Sequence, residues 1–417
     1  MCVAVIESYL AQINFPGDLA QLPDDAYLVG GSVRDALLQR YKTPVDLDFI
    51  LPQKAIATAK YFANTYGGGF VVLDDVREIA RVVFKLGTLD LARQEGSTLE
   101  ADLKRRDFTV NAIAYSLKRQ QLIDPLQGLS DLKQGIIKMV AVKNLEDDPL
   151  RLLRAYRQAA QLNFTIETET RTAIKQRVSR LATVAAERVQ AELNYLLGAP
   201  QGNKWLIAAI SDGLWDFYLP DSKGVDLEQL EVITAAIELC RENGIGDRSN
   251  AQLAIKPSEF SLLTKLSALV STQPDLAEVQ LTKLKYSRNQ IKAISKTVKY
   301  LPRLQQPTHP LSLREQYFWF LATVDVFPLL VARAVALRIP SEIINPLIER
   351  YLDPADPVAY PRCLVTGKDL IEQLNLKPSP IIGELLTEIQ IAQIESKVTT
   401  FQQAIDFAAN WLDLAKS

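Results

Sequence analysis

Histidine is almost missing from this chain of 417 residues: there is one, His309, between Pro307 and Pro310. A catalytic triad or zinc centre built on imidazole is therefore not expected. Cysteine is scarce too. Cys2, Cys240 and Cys363 are scattered and odd in number, which fits no metal-ligand spacing and suggests a reducing compartment. No long apolar run is uninterrupted: Phe318 to Ile339 contains Asp325, Pro328 and Arg333, so buried helices are expected there rather than a membrane span. Met1 to Glu7 is short and lacks the basic start of a signal peptide, and a cytoplasmic location is the expectation. A net charge of −2 argues against binding of a polyanion through bulk charge alone, but not through a local patch.

What is present begins with organisation. The length suits roughly two to four domains. Residues 20 to about 138 are the only mixed region, with strand-like runs at Tyr27–Val29, Val45–Ile50, Gly69–Leu73, Ala80–Phe84 and Thr88–Leu91. From Asp147 onward, apolar residues recur at three- and four-residue spacing, the helical period. The predicted fold class is α+β: a mixed sheet with helices, followed by all-α segments.

The chemistry-bearing motifs fall early. In the strand Val45–Ile50, Asp46 and Asp48 share a face, because side chains alternate. Two like charges there call for a cation, and Mg²⁺ prefers oxygen ligands that it shares with phosphates. Upstream, Tyr27-Leu-Val-Gly-Gly-Ser-Val-Arg-Asp35 reads as strand, tight turn and helix start, a place where backbone N–H groups meet phosphate. Gly30, Gly31, Ser32 and Arg34 are its candidate triphosphate contacts. Each part alone is common; together within twenty residues they point to nucleotidyl transfer assisted by two metal ions.

Two further clusters follow. Arg105-Arg-Asp-Phe-Thr-Val-Asn111 brings guanidinium groups suited to phosphate beside Asp107 and Asn111, which would share a face if helical. Asp148-Pro-Leu-Arg151-Leu-Leu-Arg154 reads as a capped helix start. A carboxylate at 148 can accept from an exocyclic amine while a guanidinium at 151 donates to the adjacent ring nitrogen. Cytosine and adenine offer that pair of atoms; uracil and guanine do not.

These motifs resemble those of the class II tRNA nucleotidyltransferase and bacterial poly(A) polymerase family, within the polymerase-β-like superfamily. The resemblance rests on Leu28-Val-Gly-Gly-Ser-Val-Arg-Asp-Ala-Leu-Leu38, Asp46-Leu-Asp-Phe49, Arg105-Arg-Asp-Phe-Thr-Val-Asn-Ala112, Asp148-Pro-Leu-Arg151 and Ala186-Glu-Arg-Val-Gln-Ala-Glu-Leu193. It implies a catalytic head (1–138), a base-recognising neck (139–200), an RNA-binding body (201–305) and a tRNA-binding tail (306–417). It implies that Asp46 and Asp48 hold two Mg²⁺ ions, with Asp90 as a possible third acid. Arg105, Asp107, Asn111, Asp148, Arg151 and Arg154 would meet the nucleotide, CTP and possibly ATP, and Arg188 and Glu192 would pair locally and prop the helix that reads the base.

The chain departs from the family pattern in places. Asp147 stands where Glu is usual, and Gln127 replaces the first of two glycines in Asp124-Pro-Leu-Gln-Gly128. Only twelve residues, Arg93 to Lys104, separate the strand at 88–92 from Arg105, where full CCA-adding relatives carry a longer flexible loop. A short loop there is characteristic of relatives that add only CC and leave the A to a separate A-adding enzyme. A full CCA-adding enzyme, an A-adding enzyme and a poly(A) polymerase remain open, as does a non-catalytic RNA-binding protein. Val279 to Arg314 holds no acid but includes Lys283, Lys285, Arg288, Lys292 and Lys296, candidate contacts to tRNA phosphates.

Overall fold

The computed structural model describes residues 2–41, 43–246, 255–305 and 310–414, so the loop expected around His309 lies outside the described residues. The chain divides into two compact units, Met1–Phe217 and Tyr218–Ser417.

In chain order the first unit contains α1 (Cys2–Gln12), β1 (Tyr27–Val29), α2 (Gly31–Leu37), β2 (Val45–Leu51), α3 (Ala55–Tyr66), β3 (Gly69–Asp74), β4 (Ile79–Phe84), β5 (Gly87–Arg93) and α4 (Leu99–Leu103). There follow β6 (Ala114–Ser116), β7 (Gln121–Ile123), α5 (Gly128–Gln134), β8 (Ile136–Ile137), α6 (Val142–Asp147), α7 (Leu150–Leu162), β9 (Thr165–Ile166), α8 (Thr168–Lys175), α9 (Ala186–Leu197) and α10 (Gly202–Ser211). Seven strands form one sheet in the order β3-β4-β5-β2-β1-β6-β7. Only the β2–β5 pair in it is parallel, so the sheet is mixed, as predicted.

Alternation along β2 and β5 separates two faces. Val45, Leu47, Phe49 and Leu51, with Leu89 and Leu91 of β5, enter a core shared with Ile6 of α1 and Ala59 and Phe62 of α3. The opposite face carries Asp46, Asp48 and then Ile50, which joins a smaller cluster with Val29 and with Leu99 and Leu103 of α4. Apolar burial on both sides fixes the register, since a one-residue slip would put the carboxylates into the larger core.

The expected strands β1–β5 are present with ends within one or two residues, while β6 and β7 were not expected. The parallel pair of β8 and β9 places a strand at 165–166, inside the stretch expected to be helical.

The second unit is helical among its described residues: α11 (Leu227–Glu242), α12 (Phe260–Leu269), α13 (Pro274–Lys283), α14 (Arg288–Tyr300), α15 (Pro302–Gln305), α16 (Leu313–Thr323), α17 (Phe327–Ala336), α18 (Ser341–Leu352), α19 (Gly367–Leu374), α20 (Ile381–Ile394) and α21 (Phe401–Leu414). Leu313–Ala336 is long and apolar enough to cross a membrane, but a 3₁₀ turn at Val324–Val326 interrupts it and Trp319, Phe320 and Phe327 are packed inside the unit.

Candidate active site

All elements of the site lie in the first unit. Gly30 turns the chain between β1 and α2 at φ +70° and ψ −137°, a conformation that essentially only glycine adopts. Ser32, buried on the first turn of α2, ties this turn to β2. Its Oγ donates to the Asp46 carbonyl at 3.1 Å and accepts from the Asp48 N–H at 3.0 Å. A Cβ on Gly30 would lie 3.7 Å from Asp48 Oδ2, so the glycine backbone and the carboxylate border the same space.

Asp46 is exposed, and its Oδ1 accepts from Thr88 Oγ1 at 2.7 Å. Asp48 is only partly exposed and sits directly opposite Asp90 in the parallel pair. Burial first, then the charge of Asp90, pushes the Asp48 carboxyl up to about 6 despite Arg106 nearby, and Asp46 adds to the rise. Asp90 itself is taken: Arg81, opposite it on β4, donates Nε and Nη2 to its two oxygens at 2.7 Å each. The candidate third acid is thus held in an ion pair in this structure.

Among the described residues no group of three or more metal-ligating side chains occurs. The donor chemistry nonetheless fits Mg²⁺. Two carboxylates share a face, one is made basic by its surroundings, and substrate phosphates and water would complete the shell.

The second cluster forms a buried network beneath the turn. Asp107 and Asn111 do meet, at 2.9 Å, but across an irregular stretch and a 3₁₀ turn (Thr109–Asn111) rather than along an α-helix. Burial alone would raise the Asp107 carboxyl. The guanidinium of Arg154 outweighs it, with help from Asn111 and the Phe108 N–H, and holds the group well below the carboxylate range. Arg154 Nε and Nη2 reach Asp107 Oδ2 at 2.9 and 2.8 Å.

Arg34 is turned inward. It pairs with Asp35 at 2.8 Å and donates Nη1 to Asn111 Oδ1 at 2.7 Å and to Gln158 Oε1 at 3.3 Å. It supports the turn from below, its guanidinium 3.4 Å from where a Gly31 Cβ would be.

Of the two adjacent arginines, Arg105 is exposed and pairs with Glu95. Arg106 instead lies over the turn, its Nη1 3.0 Å from the Cβ position of Gly30. Arg106 is the residue that sequence reasoning passed over. The Arg-Arg pair was the available signal, but an irregular segment has no period to say which member faces inward.

At the N-terminus of α7, Asp148 is extended and accepts from the Leu150 N–H at 3.3 Å, as a capping residue does. Its other oxygen accepts from Arg188 Nη2 at 3.0 Å. Arg151 donates Nη1 to the carbonyls of Arg105 (2.8 Å) and Asn144 (3.1 Å), which fixes the plane of its guanidinium. Asp147 points away into a surface pair with Lys143 at 2.9 Å.

The expected Arg188–Glu192 pair is not made. Glu192 accepts from Arg157 Nε at 2.6 Å, so α9 reaches α7 through Glu192 and the segment just before α7 through Arg188. Gln127 takes φ +60°, supplying with a side-chain-bearing residue the left-handed geometry glycine gives more cheaply. The Asp124 carboxylate then receives the Gly128 and Leu129 N–H groups at 2.7 and 2.9 Å.

In the second unit, Lys285, Arg288, Lys292, Lys296 and Lys299 line one cleft of about 750 Å³ between α13 and α14. Asp275 and Glu278 line it as well, so the face is not purely cationic. Lys296 is already bound to both oxygens of Asp325 at 2.8 and 2.9 Å, and Lys283 lies over the Tyr218 ring at 5.5 Å.

Three family models match parts of the chain: "Poly A polymerase head domain" at residues 26–138, "Probable RNA and SrmB- binding site of polymerase A" at 163–224 and "tRNA nucleotidyltransferase domain 2 putative" at 257–408. A CC-adding tRNA nucleotidyltransferase of Synechocystis sp. is 46% identical over 407 residues, spanning 96% of this chain and 97% of its own. An A-adding tRNA nucleotidyltransferase of Deinococcus radiodurans is 32% identical, spanning 95% and 97%. A CCA-adding enzyme solved with ATP shares the fold with a TM-score of 0.71 at 23% identity, covering 99% of this chain and 93% of that one. The Thermotoga maritima CCA-adding enzyme, solved with tRNA, has a TM-score of 0.65 at 24% identity and covers 93% and 91%. With these relatives across nearly its full length, the chain belongs to the tRNA nucleotidyltransferase family and is a nucleotidyltransferase.

Proposed function

We propose that this enzyme adds C, and stops after CC, at the 3′ end of tRNA lacking its CCA terminus. The observation that carries the CC reading is the short, tightly held connection from β5 to Arg105. Gln94 N–H donates to the Leu51 carbonyl at 2.7 Å, Glu95 N–H to Asp102 at 2.9 Å, and Thr98 caps α4. A connection so anchored has no slack with which to reshape a pocket from cytosine to adenine. The likeness to the CC-adding relative supports the same reading.

Asp46 and Asp48 would hold two Mg²⁺ ions, which when bound lower the pKa of the attacking hydroxyl and neutralise charge on the leaving pyrophosphate. The Gly30–Gly31 turn offers backbone N–H groups to the triphosphate, with Ser32 locking that turn to the strand of the acids. Asp148 accepts from the amine of cytosine and Arg151 donates to its ring nitrogen. The carbonyls on Arg151 Nη1 and the Arg188 contact to Asp148 hold both groups in place before a base arrives, so little ordering remains to be done on binding. The basic residues of α14 would meet tRNA phosphates, and residues 1–138, 139–200, 201–305 and 306–417 would serve as head, neck, body and tail.

The test is extension of tRNA transcripts ending before CCA, after C and after CC, each with CTP, ATP or both and Mg²⁺, read at single-nucleotide resolution. Growth that halts at CC with ATP present supports the proposal. Completion to CCA overturns the reading of residues 93–104, and ATP-only tailing that ignores tRNA overturns the substrate.

A further inference from the structure

Asp102 is a buried acid that the scheme above uses only as the acceptor of the Glu95 N–H. It lies on α4 at 8% exposure, and α4 is fixed against Ile50, two residues along β2 from Asp48, through Leu99 and Leu103. Its two oxygens do different work. Oδ1 accepts the Glu95 N–H at 2.9 Å, and Oδ2 accepts from Arg106 Nη2 at 3.3 Å. One corner of the Arg106 fork is thus pinned, while Nη1 hangs over Gly30, where the missing side chain leaves room. Arg106 Nε is buried, without a hydrogen-bond partner among the described residues and out of a ligand's reach, so it is Nη1, beside the turn, that an anionic oxygen would meet. Arg105, by contrast, is drawn outward by the Glu95 side chain. A planar fork held at one corner, beside a glycine turn and two carboxylates, suits phosphate oxygens whose negative charge accompanies the incoming nucleotide.

The geometry points to Asp102 as a positioning residue: it fastens the short 93–98 segment by its backbone and, through Arg106, sets the guanidinium that receives the triphosphate of the incoming nucleotide over Gly30. This rests on the nucleotidyl-transfer reading. Asp102→Asn spares the Glu95 contact and alters only the Arg106 one, so the effect of that substitution must vanish when Arg106 is gone.

The experiment compares full-length wild type, Asp102→Asn, Arg106→Ala and the double variant in CTP addition to a tRNA transcript ending before CCA. Asp102→Asn keeps the size of the residue and an acceptor for the Glu95 N–H. The expected result is a KM for CTP raised about tenfold with kcat changed by less than about threefold, and less than about twofold further change when Asp102→Asn is added to Arg106→Ala. An additive loss in the double variant, or a fall in kcat at unchanged KM, overturns the proposal. Arg106→Lys, which keeps charge but loses the fork, gives a second path: it should raise KM as Asp102→Asn does, and wild-type KM there overturns the role of the fork. If wild type adds no nucleotide at all, it is the transfer reading that has failed. Equilibrium titration of the same four proteins with CTP and Mg²⁺ then still decides on Asp102, by the presence or absence of the same non-additive loss in affinity.

Discussion

Replacing Asp48 by Asn should stabilise the metal-free protein at neutral pH while removing its response to Mg²⁺. The native carboxyl titrates near 6 against an ordinary 3.8, because burial and then Asp90 disfavour its charge. Between those values the native state holds a proton that the unfolded chain has released. The contribution of Asp48 is therefore fully present below about 4 and is lost as pH rises through about 6. The full shift corresponds to about 3 kcal/mol at 1.36 kcal/mol per unit, and the solvent that reaches the outer side of Asp48 trims this to about 1–2 kcal/mol. In a unit of 217 residues that is roughly 2–8 °C in its unfolding midpoint. The assay is thermal unfolding of both proteins from pH 4 to 8 with chelator, then with Mg²⁺ at pH 7.5. The wild type should lose stability relative to Asp48→Asn between pH 4 and 7, and Mg²⁺ should restore it in wild type alone. Parallel pH profiles, or equal Mg²⁺ shifts, would refute the reasoning.

Other consequences can be checked directly. Gly30→Ala meets φ +70° and Arg106 Nη1 at 3.0 Å, so it should cost about 1–3 kcal/mol by urea unfolding and reduce transfer at least tenfold. Asp107→Asn leaves Arg154 and its neighbours short of a charged acceptor. A loss of about 2–3 kcal/mol is expected near neutral pH, shrinking as acid protonates Asp107 in the wild type, and a pH-independent difference would contradict the assignment. Arg188→Ala breaks an exposed pair worth about 0.2–1 kcal/mol, so stability should barely change while discrimination of CTP over UTP falls severalfold in competition assays. Grafting a long flexible loop between Gln94 and Leu99 should promote A addition in the tRNA extension assay, and efficient A addition without the graft would defeat the short-loop argument.

Much of the head was legible because periodicity carries it. Strands β2–β5 alternate or run apolar long enough to be read, three-residue β1 is marked instead by the Gly30-Gly31 turn that ends it, and the shared face of Asp46 and Asp48 follows from alternation alone. Strands β6 and β7 have three residues each and β8 and β9 two, too short for any period, and they exist because distant partners complete them. Local pairing rules also lost to tertiary structure. Arg188 and Glu192 are spaced to meet each other, yet a half-buried guanidinium on α7 takes Glu192 and a base-reading candidate takes Arg188. Arg81, nine residues from Asp90, captures that acid only because the β4–β5 hairpin sets them opposite each other, a register no composition reveals.

The alternation of β2 has a further meaning for how this protein can change. Its chemistry is written as a phase: odd positions from 45 to 51 belong to one core and even positions to the acids and the small cluster beyond them. Point substitutions at the odd positions alter volume and leave the phase alone, so those positions can drift among apolar residues. Loss or gain of a single residue within the strand inverts every assignment on one side of the change, sending charge inward or Phe49 toward the nucleotide. Evolution along this strand is thus open to exchange and closed to slippage, whereas the connection after β5, which carries no such phase, is where length is free to vary.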